Sequence, residues 1–159
     1  MSVAAPGRIV VGVDGTTSSV TALDWAAGQA ELTGAAVEAV MTWRWPTAGL
    51  APFPSDFDPA ADAEGVLESV VANVRTAHPG VDLRTSVVEG SPGIELVRLS
   101  EGADLLVLGS RGHGEIAGLL LGSVGQYCVT QARCPVLIVH PGQRETSLPA
   151  AVAAKAGRL

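Results

Sequence analysis

Lysine is nearly missing from this 159-residue chain; the only one, Lys155, stands close to the C-terminal end. A site that holds an anion must therefore use arginine, backbone N–H groups, hydroxyls or a bound metal ion. Charge of either sign is scarce, at 16% of residues, and the balance is acidic, with a formal net charge of −6 and a pI near 4.9. That sign argues against nucleic acid or an anionic membrane as partner. Cysteine occurs twice, as Cys128 and Cys134. Two thiols six residues apart around one helix end make no disulfide framework, and they read as small buried hydrophobes in a reducing cytosol. No apolar run approaches the ~20 residues needed to span a bilayer. Asp14 interrupts the first such run, and no basic segment with a long apolar stretch opens the chain, so the expected location is the cytoplasm.

What is present is 47% apolar residues, enough for one domain with its own core. The expected domain is 1–142, followed by a weakly tied tail over 143–159. Ile9 to Asp14 is a short apolar run typical of a strand buried on both faces. Gly15-Thr16-Thr17-Ser18 then offers a turn and helix N-caps, and Val20, Leu23, Ala27 and Ala30 recur at helical spacing up to a stop at Gly34. Val37 to Trp43 reads as a second strand. Arg44 to Pro59 carries four prolines and reads as a loop, with Trp43 and Trp45 beside it either as core or as a lid. Val66, Leu67, Val70, Val71 and Val74 mark a second helix, ended by His78-Pro79-Gly80. Val81, Leu83, Thr85 and Val87 alternate with polar residues, as in a strand with one wet face. Ser91-Pro92-Gly93 opens a third helix, Ile94 to about Glu101, and Asp104 to Leu108 is the fourth strand. A helix from Ser123 to about Ala132 and the strand Val136 to Val139 complete the series.

Strands alternating with helices imply an open α/β fold with a five-stranded parallel sheet and helices on both faces. The first and fourth strands are apolar throughout and belong at the centre, which predicts the order 3-2-1-4-5. Ligands are then expected where the order reverses, at the carboxyl ends of strands one and four. Gly12 to Gly15 and Gly109 to Gly114 fall at those two ends. The second of these, with Gly122-Ser123 ten residues after Gly112, joins a buried strand to a helix start. Glycines there let the backbone approach a ligand, and successive N–H groups can form an anion-binding nest at the helix N-terminus. The fifth strand is a bare apolar edge, which invites pairing with a second copy of the chain.

Val11-Gly12-Val13-Asp14-Gly15, the pattern Gly109-x2-Gly112-x9-Gly122-Ser123, and the flanking runs Ala103 to Gly109 and Cys134 to Val139 together resemble the universal stress protein family. The resemblance covers Arg8 to His140, and the glycine pattern matches the family's ATP-binding signature. It implies the Rossmann-like fold of the adenine nucleotide α-hydrolase type, dimers through the last strand, and ATP, with Mg2+, as the ligand. It places Gly12, Val13 and Asp14 beside the adenosine, with backbone around Met41 and Thr42 at the adenine edge. Leu108, Gly109, Arg111, Gly112, His113, Gly114, Gly122, Ser123 and Val124 surround the phosphates.

Several of these residues have a second reading. Asp14 serves either a ribose or magnesium, or the N-terminus of the following helix. Ser123 is an N-cap or a phosphate ligand, and Arg111 a solvated side chain or a phosphate contact. His113 and Glu115 read as ordinary loop residues rather than catalysts, and His78 and His140 suggest no metal site. Gly125, just inside the last helix, has no functional reading. The leading expectation is an ATP-binding stress or dormancy regulator with an unknown protein partner. A weak ATPase using His113 or Glu115, and a dimeric adaptor that binds no nucleotide, are the alternatives.

Overall fold

A computed structural model describes residues 4–47, 49, 52–111 and 121–141. Five strands and four helices alternate along the chain: β1 (Arg8–Gly12), α1 (Thr17–Thr33), β2 (Ala36–Trp43), α2 (Pro59–Ala77), β3 (Leu83–Glu89), α3 (Pro92–Leu99), β4 (Leu105–Gly109), α4 (Ser123–Gln131) and β5 (Val136–Val139). All pairings are parallel and the order is β3-β2-β1-β4-β5. The strand order and the helices on both faces match the expectation. The tail after residue 141, with Lys155, lies outside the described residues.

The central strands are apolar without a break because both their faces are covered. Ile9, Val11 and Val13 face α1 and α2, together with Val37, Ala39, Met41 and Val107. Val10, Val40, Leu106 and Leu108 face α3 and α4, meeting Leu96 and Cys128. Leu23, Leu67, Leu106 and Val71 are fully buried; each such side chain contributes roughly 1.5–3 kcal/mol of transfer free energy. Cys128 is buried, whereas Cys134 is only half-buried, because it sits in the turn between α4 and β5 rather than under a helix.

Local signals set the helix ends. Thr16 caps α1 through its side chain, which accepts from Ser19 N, and Gly34 ends it in the left-handed region at φ 74°. Asp58 caps α2 by accepting from Ala60 N and Ala61 N at 3.1 Å. Pro59 therefore belongs to the helix rather than to the loop before it, since its fixed φ suits the first turn and its missing N–H is not needed there. The loop before α2 is held by aromatic packing: Trp43 meets Trp45 edge-on at 5.9 Å, Trp45 meets Phe57 at 6.2 Å, and Phe57 stacks on Phe53 at 4.7 Å. Trp43 packs on the α1/α2 core and is also one of the residues around the cavity at the carboxyl ends of the strands.

At the end of the sheet opposite the strands' carboxyl termini, Arg8 ties three elements together. Its guanidinium bonds Glu38 at 3.0 Å, Leu99 O at 2.9 Å and Glu101 O at 2.8 Å. A cation on the last carbonyls of α3 also suits that helix's dipole. Among the described residues no helix is long and apolar enough to cross a membrane.

Candidate functional site

The carboxyl ends of β1, β2 and β4 surround a cavity of about 320 Å³ on the α3/α4 side of the sheet. It lies at the point where the strand order reverses, because β1 is followed by β2 on one side and paired with β4 on the other. Gly12, Val13 and Asp14 come from β1 and its turn, Thr42 from β2, Leu108, Gly109 and Arg111 from β4, and Gly122, Ser123 and Val124 from the start of α4. Ten residues singled out in the sequence thus meet around one cavity. Gly112, His113, Gly114 and Glu115 lie outside the described residues.

Met41 is the exception. It is not among the residues lining the cavity, and its side chain is buried in the α1/α2 core on the other face, which leaves only its backbone for the contact expected of it. Side chains alternate along a strand, so Val40 and Thr42 face the cavity and Met41 between them faces away. Glu38 and Thr42, the polar residues of β2, share a face with Val40, so the alternation in the sequence already marks Met41 as facing the other way.

The glycines differ in what they do. At Gly12 a Cβ would lie 2.7 Å from Leu108 Cδ2 and 2.9 Å from Leu96 Cδ1, two side chains of the cavity floor. Glycine there keeps the floor low. At Gly109 the added atom would instead meet Ser18 of α1, 2.5 Å from Oγ and 2.7 Å from its carbonyl carbon. Gly109 is small so that α1 can start against the end of β4. Gly125 also has a packing reason, since its Cβ would lie 2.5 Å from Leu121 Cδ1.

The turn after β1 is tightly bonded. Asp14 Oδ1 accepts from Thr16 N at 3.0 Å and from Thr16 Oγ1. Ser19 Oγ accepts from Asp14 N at 3.3 Å and donates to Thr16 O at 3.0 Å. Ser18 Oγ accepts from Arg111 N at 3.4 Å, which links this turn to the end of β4. Asp14 therefore does organise the entry to α1, as its second reading held, while also lining the cavity.

Electrostatics separate this cavity from the rest of the surface. Of the seven described arginines, five form ion pairs: Arg8 with Glu38, Arg75 with Glu68, Arg84 with Asp82, Arg98 with Glu95 and Arg133 with Glu101. Arg44 and Arg111 form none among the described residues, and both line the cavity. Helix ends follow the same division. α1 and α2 have side-chain caps, whereas α3 and α4, which reach the cavity through Pro92 and Ser123, have no side-chain cap hydrogen bond. Guanidinium groups with no carboxylate partner among the described residues, and helix N-termini with no side-chain cap, favour an anion.

Arg44, Ser110, Ser19, Gly90 and Leu96 are lining residues that sequence reasoning did not single out. For Arg44 a signal existed, an arginine one residue beyond a predicted strand, but proline density assigned it to a loop. For Gly90 and Leu96 the pairing of β3 with β2 had to be known first. No group of three or more His, Cys, Asp or Glu side chains suited to a metal occurs among the described residues.

Residues 6–140 match the model of the universal stress protein family. The chain is 36% identical over 134 residues to universal stress protein Rv2623 of Mycobacterium tuberculosis, covering 83% of this chain and 44% of that protein. It is 33% identical over 144 residues to universal stress protein Rv2005c of the same species, covering 83% and 47%. It thus spans about half the length of the curated relatives it matches. Among solved structures, a universal stress protein in complex with cAMP superposes with a TM-score of 0.67 at 31% identity, covering 87% of this chain and 100% of that one. An Arabidopsis thaliana protein of the universal stress protein family with AMP bound shares the fold, with a TM-score of 0.60 at 20% identity over 92% and 99% of the two chains.

Proposed function

The chain belongs to the universal stress protein family, and from that premise we propose that it binds an adenine nucleotide, ATP with Mg2+ in first place, and acts as a nucleotide-dependent stress or dormancy regulator in the cytosol. The observation that carries the reading is the separation of charge: in an acidic chain, the two described arginines with no carboxylate partner among the described residues both line one cavity at the switch point of the sheet. The cAMP complex of a relative 31% identical supports the adenine base.

Gly12, Val13 and Asp14 then lie beside the adenosine, with Thr42 and Val40 at the base, while Arg111, Gly122, Ser123 and Val124 hold the phosphates. Gly112 is carried into the phosphate site by the family signature, and His113 and Gly114 adjoin it in the sequence. A magnesium ion fits if the nucleotide's own oxygens and water supply most of its ligands, because Asp14 is the one carboxylate lining the cavity among the described residues. Binding is favoured over turnover, since no lysine stands among the described residues and fast phosphoryl transfer needs dense positive charge on the transferred group. β5 presents four uncharged, half-buried residues along an edge, so a second copy of the chain pairs there to form a homodimer; a mass measurement in solution that returns a monomer sinks that part.

The test is to denature freshly purified protein, identify released nucleotide, and then titrate the emptied protein with ATP, AMP and cAMP. The Arg44→Gln/Arg111→Gln double variant should bind at least about tenfold more weakly, since each charge-assisted hydrogen bond contributes roughly 1.5–3 kcal/mol. No released nucleotide and no binding at millimolar concentration would overturn the reading in favour of an adaptor without nucleotide.

A further inference from the structure

Ser110 is 1% exposed, and its Oγ is the one buried side-chain oxygen or nitrogen without a hydrogen-bond partner among the described residues. Native structures rarely leave a buried hydroxyl unpaired, because its desolvation is then uncompensated. The main chain of the same residue is fully used. Its N–H donates to Val139 O at 3.0 Å, and its carbonyl accepts from Gly122 N at 3.1 Å. These two bonds hold Ser110 between the end of β5 and the N-cap of α4. Strand alternation puts it on the face of Leu106 and Leu108, towards α3 and α4, and it lines the cavity.

The surroundings identify the missing partner. α4 starts at Gly122 with no side-chain cap and no acidic residue in its first turn. Its free N–H groups and the Arg111 guanidinium are donors, and Ser123 adds a hydroxyl. A donor-rich corner leaves an unpaired hydroxyl short of an acceptor. The chemical class that supplies several acceptor oxygens to such a corner is a phosphate.

We propose that Ser110 Oγ donates a hydrogen bond to the phosphate group held at the N-terminus of α4, so that Ser110 is a ligand-binding residue of this cavity. The inference rests on the nucleotide reading above. It adds a residue at an unspecified position of the glycine signature, and it makes the ligand-free protein carry a local instability that the ligand removes.

Ser110→Ala tests this with two readouts that should move in opposite directions. Removing an unpaired hydroxyl should raise the Tm of the ligand-free protein by a few degrees, while affinity for AMP and for inorganic phosphate should fall by about tenfold or more. Adenosine, which has no phosphate, should bind both proteins equally. Unchanged AMP and phosphate affinity in the variant overturns the proposal, and so does a lower ligand-free Tm, which would mean that the hydroxyl has a partner within the protein. If the wild type binds phosphate in a Ser110-dependent way but no adenine nucleotide, the nucleotide reading fails and the Ser110 assignment stands. If the wild type binds neither, both fall.

Discussion

Replacing Gly109 with alanine should unfold this protein more easily without weakening its nucleotide site. The new Cβ would lie 2.5 Å from Ser18 Oγ, 2.7 Å from the Ser18 carbonyl carbon and 2.9 Å from Ser18 Cβ. Rotating the hydroxyl relieves the first contact but not the other two. To bring the backbone contact from 2.7 Å to the 3.4 Å at which ordinary contact begins, the start of α1 must retreat from β4 by about 0.7 Å. That shift also strains the bond from Arg111 N to Ser18 Oγ, already 3.4 Å long. Overpacking of this kind costs about 1–3 kcal/mol, and a rigid backbone neighbour places it in the upper half. For a domain of this size the Tm should fall by roughly 5–12 °C. Thermal melts followed by circular dichroism, with and without saturating AMP, are the assay. The ligand-induced rise in Tm should match that of the wild type, because the missing side chain faces α1 and not the cavity floor. An alanine variant that melts like the wild type yet no longer binds AMP would refute the reasoning and make Gly109 a glycine for the phosphate's sake.

Other expectations concern different parts of the fold. An added Cβ meets nothing within 4 Å at Gly28 in α1 or Gly65 in α2, so alanine at each should stabilise by roughly 0.5–1 kcal/mol in denaturant titrations; a loss at both would contradict the open geometry. Gly125→Ala meets the Leu121 side chain, Cδ1 at 2.5 Å and Cγ at 3.2 Å, a flexible neighbour that can turn aside, and should cost less than Gly109→Ala in the same melts. His78 joins the end of α2 to α1 through Glu31 at 2.7 Å and Asp24 at 3.0 Å. These hydrogen bonds raise its pKa above 6.5, Glu31 most and then Asp24, against a smaller opposing effect of burial. The folded state therefore prefers the protonated ring: the stabilisation is complete below the unfolded value of 6.5 and fades as pH rises through the higher folded value. The Tm gap between wild type and His78→Gln should be widest at mildly acid pH and shrink above neutrality, and a gap that widens instead would reverse the assignment. Burial, with a smaller contribution from Cys134, pushes the Cys128 thiol up to about 11. Iodoacetamide at pH 8 should thus label Cys134 in the native protein and Cys128 only after unfolding, as mass spectrometry of the peptides would show.

Much of the fold was legible because it is written in local patterns. Continuous apolar runs identified β1, β4 and β5, and Gly34 and His78-Pro79-Gly80 marked helix ends where the structure has them. The alternation of strand and helix then restricts the sheet to few orders, since crossovers between parallel strands share one hand. Boundaries moved by a residue or two. β4 begins at Leu105, one residue after the expected start, although Asp104 still meets β1 through its N–H on Arg8 O at 2.9 Å and its carboxylate on Arg8 N at 2.7 Å. α3 begins at Pro92, where a proline is tolerated.

By itself the sequence determined the architecture, the two glycine-bearing strand ends that meet at the switch point, and the absence of lysine from them. Those properties depend on near neighbours in the chain and on composition. Only the tertiary structure decided which helix Gly109 accommodates, that Arg44 joins Arg111 at one cavity while the other described arginines find carboxylates, and that the Ser110 hydroxyl has no partner among the described residues. Each of these depends on which strand lies beside which and on the phase of side chains about a sheet covered on both faces. When both faces are apolar, a shift of one residue leaves the hydrophobic pattern nearly unchanged but reverses every side chain, so packing alone resolves it.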